Sequence, residues 1–348
     1  MNSSGLLRYK EYFLLISGAE VSKIKQNVCA WEVTAVNDVT VPRQRVFYWD
    51  NLKGFLIFLV VLGHMLEQLV PDGKSLQIYK VIYLFHMPLF VFCSGYLSRF
   101  SPKKIFRQLI VPYAALQLFF GLLLFQEVQL TTPYWVLWYL AALVVWRVTV
   151  PFLDACPVRL RWLVIVGTVA VSCVVGFDNT VGYYATLSRI VVFYPYFVVG
   201  YYAKGWNKTE VRRPVKIAAG IVLAVLLGGF FFLSTHVDAL WLYGTYSYAN
   251  GGYDILFRLI LYVVSAAVGW AMLILTPGKK TFFAPWGRCS YAIYLAHPFL
   301  LYALMCLTGQ AGLDRWILYG ISLAASLGVC IAAAGIFKWI KTRKNGRT

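Results

Sequence analysis

Apolar residues run along this chain in long, nearly unbroken stretches set apart by short polar punctuation. A helix crossing ~30 Å of hydrocarbon needs ~20 residues. A window of that length selects ten segments, at about 52–70, 78–98, 105–126, 134–152, 160–177, 187–204, 214–233, 256–276, 289–308 and 317–338. The least regular is 187–204, "LSRIVVFYPYFVVGYYAK", where Pro195 interrupts the run; neighbouring helices or side chains must satisfy the carbonyl it frees. The pattern predicts an all-α integral membrane protein of about ten transmembrane helices. Its expected domains are an N-terminal cytoplasmic or interfacial segment at 1–47, a membrane domain at 48–339 and a basic cytoplasmic tail at 340–348. Within the first segment "YFLLISGA" is too short to span, and no small-residue cleavage site follows it.

Composition agrees: 60% of the 348 residues are hydrophobic and 13% charged, against roughly a quarter charged in soluble domains. The net charge of +18 is scattered singly between apolar runs and gathers on no polar face, which argues against a nucleic-acid partner. Its distribution sets the orientation. With ten alternating spans, 27 of the 32 Lys and Arg residues fall on the side of the termini, and only Lys74, Lys80, Arg189, Arg258 and Arg315 on the other. The positive-inside rule then places both termini in the cytoplasm. The seven cysteines show no CxxC pairing and mostly lie inside apolar runs, so neither a metal site nor a disulfide framework is expected.

Polar residues at membrane depth change the picture further. Three of the four histidines, His64, His86 and His297, fall inside predicted spans, where ionisable groups are expensive and mark functional sites. A neutral imidazole bonded between helices is the plain alternative for any one of them. At ~1.5 Å per residue, His64 lies ~18 Å above the inner end of the first span and His86 ~12 Å below the outer end of the second. In a ~30 Å core these heights coincide, so the two predict a shared cavity, with His297 lower by ~6 Å. Glu67 follows His64 by three residues on the same helix face, either orienting the imidazole or simply reaching water at the headgroups. Asp50, ~21 Å away along the helix, suits the helix start, with Asn51 as the other capping candidate. Pro88 frees the carbonyl of Leu84 two residues after His86, and "CSGY" supplies small residues for close helix approach. Arg99, Lys103, Lys104 and Arg107 crowd one inner loop, either as positive-inside anchors or as a phosphate-binding entrance.

Together, "YWDNLKGFLIFLVVLGH", "FHMPLFVFCSGY", "LWYLAAL" and "GRCSYAIYLAHPF" resemble the membrane-bound acyltransferase-three family, in particular its fucose 4-O-acetylase-like branch of sugar O-acetyltransferases. The resemblance runs from about Tyr48 to Trp339 with the motifs in the family's order. It implies ten transmembrane helices in a bacterial cell membrane and transfer of an acyl group, usually acetyl from acetyl-CoA, to a hydroxyl of an envelope sugar or polysaccharide precursor. It maps a catalytic role onto His64, places His86 and His297 nearby, and assigns basic residues after the second span to Arg99 and Arg107. Where relatives carry a basic residue four before the proline of the "PY" pair, this chain has Gln108 beside Arg107. Some members carry an added soluble domain, so action alone or with a separate extracytoplasmic partner is expected.

The resulting expectation is an O-acyltransferase with no bound cofactor or metal, using acyl-CoA as co-substrate. Arg99, Arg107 and Arg288 would contact the donor's phosphates, and His64, with His86 and Glu67, would activate the acceptor hydroxyl or carry the acyl group. Trp138, Tyr139 and His297 would bind substrate, with the aromatic stretch "YGTYSYANGGY" near 243–253 beside them. The outer loop 234–255, free of Lys and Arg, is either an acceptor-binding lid or a plain connection. The competing class is a transporter or flippase using His and Glu as a proton or substrate relay.

Overall fold

The computed structural model describes residues 47–345 except 71–72, 125–126, 128, 130, 183, 206–210 and 309–312; the expectations for residues 1–46 and 346–348 lie outside the described residues. A helix stands at each predicted segment: α1 (Tyr48–Leu69), α2 (Gly73–Tyr96), α3 (Pro102–Leu122), α4 (Trp135–Ala155), α5 (Val158–Phe177), α6 (Leu187–Tyr202), α7 (Arg213–His236), α8 (Ile255–Leu275), α9 (Ser290–Thr308) and α10 (Arg315–Asn345). No strand occurs among the described residues, and nine of these helices are long and apolar enough to cross a membrane. The exception is α6, whose 16 residues reach ~24 Å, short of a ~30 Å core. It can be short because it is packed inside the bundle and makes little contact with lipid: Val192, Phe193, Phe197 and Val198 are buried between neighbouring helices.

Short connections make successive helices run in opposite directions, so the bundle has two ends. One carries the basic residues Arg99, Arg159, Arg212 and Lys279; at the other lie the C-terminal ends of α1, α3, α5, α7 and α9. At the centre α1, α2 and α6 pack together, with α8, α9 and α10 against them, whereas α7 is mostly uncovered and turns Ile221, Val225 and Phe232 outward as a lipid-facing surface requires. Two contacts bring backbones close. A Cβ on Gly95 of α2 would overlap the Phe197 carbonyl of α6, and one on Gly200 of α6 would overlap the Phe92 carbonyl of α2. Gly54 of α1 and Gly287 of the short helix Ala284–Arg288 meet in the same reciprocal way, through Phe283 and Asp50.

The start of α1 corrects one expectation. Asn51 caps nothing; its amide donates to the carbonyls of Pro277 (2.8 Å) and Lys279 (2.7 Å) and accepts from Thr281 Oγ1 (2.7 Å), pinning the α8–α9 connection to α1. The side chain sits inside the bundle, where those unpaired carbonyls are the nearer claim on it. Asp50 lies in the first turn as expected, buried between Lys53 Nζ (3.6 Å) and Arg288 Nε (3.6 Å). The six described cysteines are free, and no group able to hold a metal ion occurs among the described residues.

Candidate active site

The end of the bundle opposite the basic loops encloses a cavity of about 210 Å³. It is built by the last turns of α1, the middle of α2, the start of α4, the start of α6 and the connection between α7 and α8. His64 and Glu67 reach it from α1, and Tyr83 and His86 from α2. The equal depths estimated along the first two spans therefore do bring His64 and His86 to one cavity.

The geometry around Glu67 favours an orienting partner over a headgroup contact. Its Oε2 lies 3.3 Å from His64 Nδ1. Its Oε1 takes the hydroxyls of Tyr79 (3.0 Å) and Tyr243 (2.9 Å), which are 2.7 Å from one another. Because burial and the nearby carboxylate push the Tyr243 phenol upward, it stays protonated and able to donate. A carboxylate can only accept, so this bond requires the proton of His64 on Nδ1 and leaves the lone pair on Nε2. Tyr83 OH, 3.2 Å from the same Nδ1, adds a second contact to that side of the ring. The ring is further held edge-on to Trp135 (5.3 Å between centroids) and stacked on His297 (5.5 Å).

His86 packs against Tyr83 (4.6 Å) and donates from Nδ1 to Ile82 O (2.8 Å), which again leaves Nε2 unprotonated. His297 is fully buried behind His64 and off the cavity wall; its Nδ1 bonds Tyr294 O (2.7 Å), and its Nε2 has no partner among the described residues. Trp138 is on the wall, but Tyr139 is not. Successive residues of a helix point ~100° apart, so with Trp138 facing the cavity Tyr139 turns into the core, where its hydroxyl meets Ser94 Oγ (2.5 Å). Arg99 and Arg107 lie exposed near the basic end and do not line the cavity. Arg107 and Gln108 share a π-helical turn, Phe106–Ile110, and Arg288 at the same end is engaged with Asp50.

Several wall residues were not singled out from the sequence. Tyr83 lines the cavity three residues before His86 on the same face of α2, a readable signal, but a tyrosine in an apolar run passes for core. Arg189 was marked only as an outlier of the charge tally; it lines the cavity from α6, donating from Nε to Thr245 Oγ1 (2.6 Å), with its guanidinium 5.2 Å from the Trp138 ring centroid. The outer loop proves to be a braced wall. Lys80 donates to Ser234 O (2.8 Å), Arg258 to Tyr246 O (3.3 Å) and Ser188 to Gly244 O (2.8 Å), while Tyr248 OH reaches Cys173 O (2.8 Å). Backbone strain collects here too: Trp135 (φ 39°), Ala185 (φ 47°) and Thr186 (φ 54°) are the non-glycine residues with left-handed φ among those described, and two of the three line the cavity. Each such conformation costs about 1–3 kcal/mol and persists where the surroundings enforce it, often at functional sites.

A family model described as "Acyltransferase domain" matches residues 46–335. Over 54 residues the chain is 48% identical to "Nodulation protein NolL" of Mesorhizobium japonicum, a match covering 14% of each protein. It is 52% identical over 54 residues to "Nodulation protein NolL" of Sinorhizobium fredii, covering 14% of this chain and 15% of that one. The chain thus aligns with about a seventh of the length of these curated relatives. No solved structure matches it.

Proposed function

The chain belongs to this acyltransferase family and is a multi-pass membrane acyltransferase; from that premise we propose that it moves an acetyl group from acyl-CoA to a hydroxyl of a cell-envelope sugar, with His64 as general base. The observation that carries this reading is the His64–Glu67 contact. It fixes the tautomer and leaves the Nε2 lone pair for the acceptor's proton at the wall of a polar, aromatic cavity. Nε2 removes the hydroxyl proton as the oxygen attacks the thioester carbonyl. The tetrahedral centre then expels the CoA sulfur, and the imidazolium returns the proton to the departing thiolate. Glu67 holds the ring and stabilises its cationic state during the transfer, and Tyr79 and Tyr243 hold Glu67.

The donor is assigned to the basic end, where Arg99 and Arg107 offer exposed guanidinium groups to its phosphates. The acceptor is assigned to the opposite end, which opens on the extracytoplasmic face of a bacterial plasma membrane if the basic loops are cytoplasmic. His64 lies ~24 Å along α1 from the basic end, so the acyl arm must reach well into the bundle. No bound cofactor or metal is required by this chemistry.

Purified protein incubated with radiolabelled acetyl-CoA and envelope glycans tests the proposal. Wild type transfers label and releases CoA, and His64→Ala loses transfer by roughly 10²–10⁴-fold while keeping its melting profile. Transfer at the wild-type rate by His64→Ala ends the histidine mechanism. Absence of transfer from any acyl-CoA by wild type ends the CoA-dependent reading.

A further inference from the structure

We propose that Arg189 is an acceptor-recognition residue and that the acceptor is an anionic sugar, one bearing a carboxylate or a phosphate across the ring from the hydroxyl that is acylated. This rests on the cavity being the acceptor site of an acyltransferase.

The five basic residues at the cavity end sort into three kinds. Lys74 and Arg315 are exposed on the surface. Lys80 and Arg258 are buried and used structurally, donating to the outer-loop carbonyls of Ser234 and Tyr246, with Arg258 also bonded to Ser172 O on α5. Arg189 alone among the Lys and Arg residues described stands on the cavity wall. A guanidinium there, in the first turn of α6, faces a half-enclosed space, where its field is less screened than on an open surface. The carboxylate on the same wall, Glu67, is engaged by His64, Tyr79 and Tyr243.

Its placement suits recognition and does not suit the chemical step. The contacts that place the group include a bond from its Nε to Thr245 Oγ1 at 2.6 Å, and its Cζ lies 5.2 Å from the Trp138 centroid and 5.9 Å from that of Tyr243. A guanidinium tethered through Nε and set among aromatic rings is pre-organised, so it loses less entropy on meeting a carboxylate or phosphate in the fork geometry it favours. Tyr243 stands between it and the catalytic pair, with its ring toward Arg189 and its hydroxyl on Glu67. An anionic substituent at Arg189 would therefore lie across the cavity from His64, with a sugar ring between them and the Trp138 face beside it. The thioester carbonyl, which must approach the hydroxyl at His64, would be on the far side of that ring.

Binding of glucuronic acid, glucose 1-phosphate and glucose to the full chain in lipid nanodiscs, measured by isothermal titration, tests this directly. The charged sugars should bind about tenfold or more tightly than glucose, the worth of one charge-assisted hydrogen-bonded contact. Arg189→Gln should remove that preference and Arg189→Lys should keep part of it. The ranking of the two charged probes tells whether carboxylate or phosphate is the natural group. Equal binding of all three, or a preference that survives in Arg189→Gln, overturns the inference. If Arg189→Gln does not fold, the wild-type preference and Arg189→Lys decide. In transfer assays Arg189→Gln should raise KM for a charged acceptor more than it lowers kcat, and a fall in kcat alone would make Arg189 part of the chemical step and sink the proposal. Preferential binding of charged sugars without any transfer from acetyl-CoA would leave this site standing and remove the acyltransfer mechanism proposed for it.

Discussion

Glu67 has three side chains competing for two oxygens: His64 on one, and Tyr79 with Tyr243 on the other. The tyrosines determine how firmly the carboxylate, and through it the imidazole, is held. Removing a single neutral hydrogen bond to it should lower kcat modestly, and removing the charge should lower it more. Tyr243→Phe is expected to reduce kcat about two- to tenfold, and Glu67→Gln roughly 10- to 100-fold, with KM for acyl-CoA unchanged in both. Steady-state kinetics with saturating acceptor checks the order; a Tyr243→Phe enzyme as impaired as Glu67→Gln would mean the phenol itself takes part in the reaction. The sequence exposed half of this arrangement. His64 and Glu67 are readable as a candidate pair because ionisable groups at i, i+3 in an apolar run share a helix face, although each had a plain structural alternative. Tyr243 is 176 residues from Glu67, and nothing local in either segment encodes that meeting.

Among elements, the crossing of α2 and α6 positions the histidine-bearing helix against the arginine-bearing one. It depends on Gly95 and Gly200, each placed against a backbone carbonyl that no rotamer change can move. Gly95→Ala should therefore cost about 1–3 kcal/mol through overpacking, seen as a lower melting midpoint in detergent. Gly228→Ala on α7, where nothing lies within 4 Å of the new methyl, should not lower it, since alanine favours helix by about 1 kcal/mol over glycine. Equal midpoints for the two variants would show that close approach is not what holds the pair. The small residues of "CSGY" announced a close contact, though not its partner. Helix positions were legible throughout because twenty apolar residues in lipid have few alternatives to a helix. The length of α6 was not, because a hydropathy window cannot tell a helix crossing lipid from one enclosed by other helices.

For the whole molecule, the separation of charge from cavity carries the remaining argument. Basic loops occupy one end, and the His64 site opens toward the other. A polar, membrane-impermeant acyl-CoA and an extracytoplasmic sugar would then meet from opposite faces, each using the end whose chemistry fits it. Arg99 and Arg107 are exposed at the basic end and remote from the cavity, so they should affect the donor alone. Together, Arg99→Ala and Arg107→Ala are expected to raise KM for acyl-CoA about tenfold or more, at about 1 kcal/mol or more per charge-assisted contact, with KM for the acceptor unchanged. Sidedness supplies the second arm. In sealed vesicles whose orientation is read from protease access to a C-terminal tag, acyl-CoA added outside should support transfer only where the tag is also outside. Transfer in vesicles with the tag protected, or an unaltered donor KM in the double variant, would reduce the basic end to a topological anchor and require the donor to reach His64 through the same mouth as the acceptor.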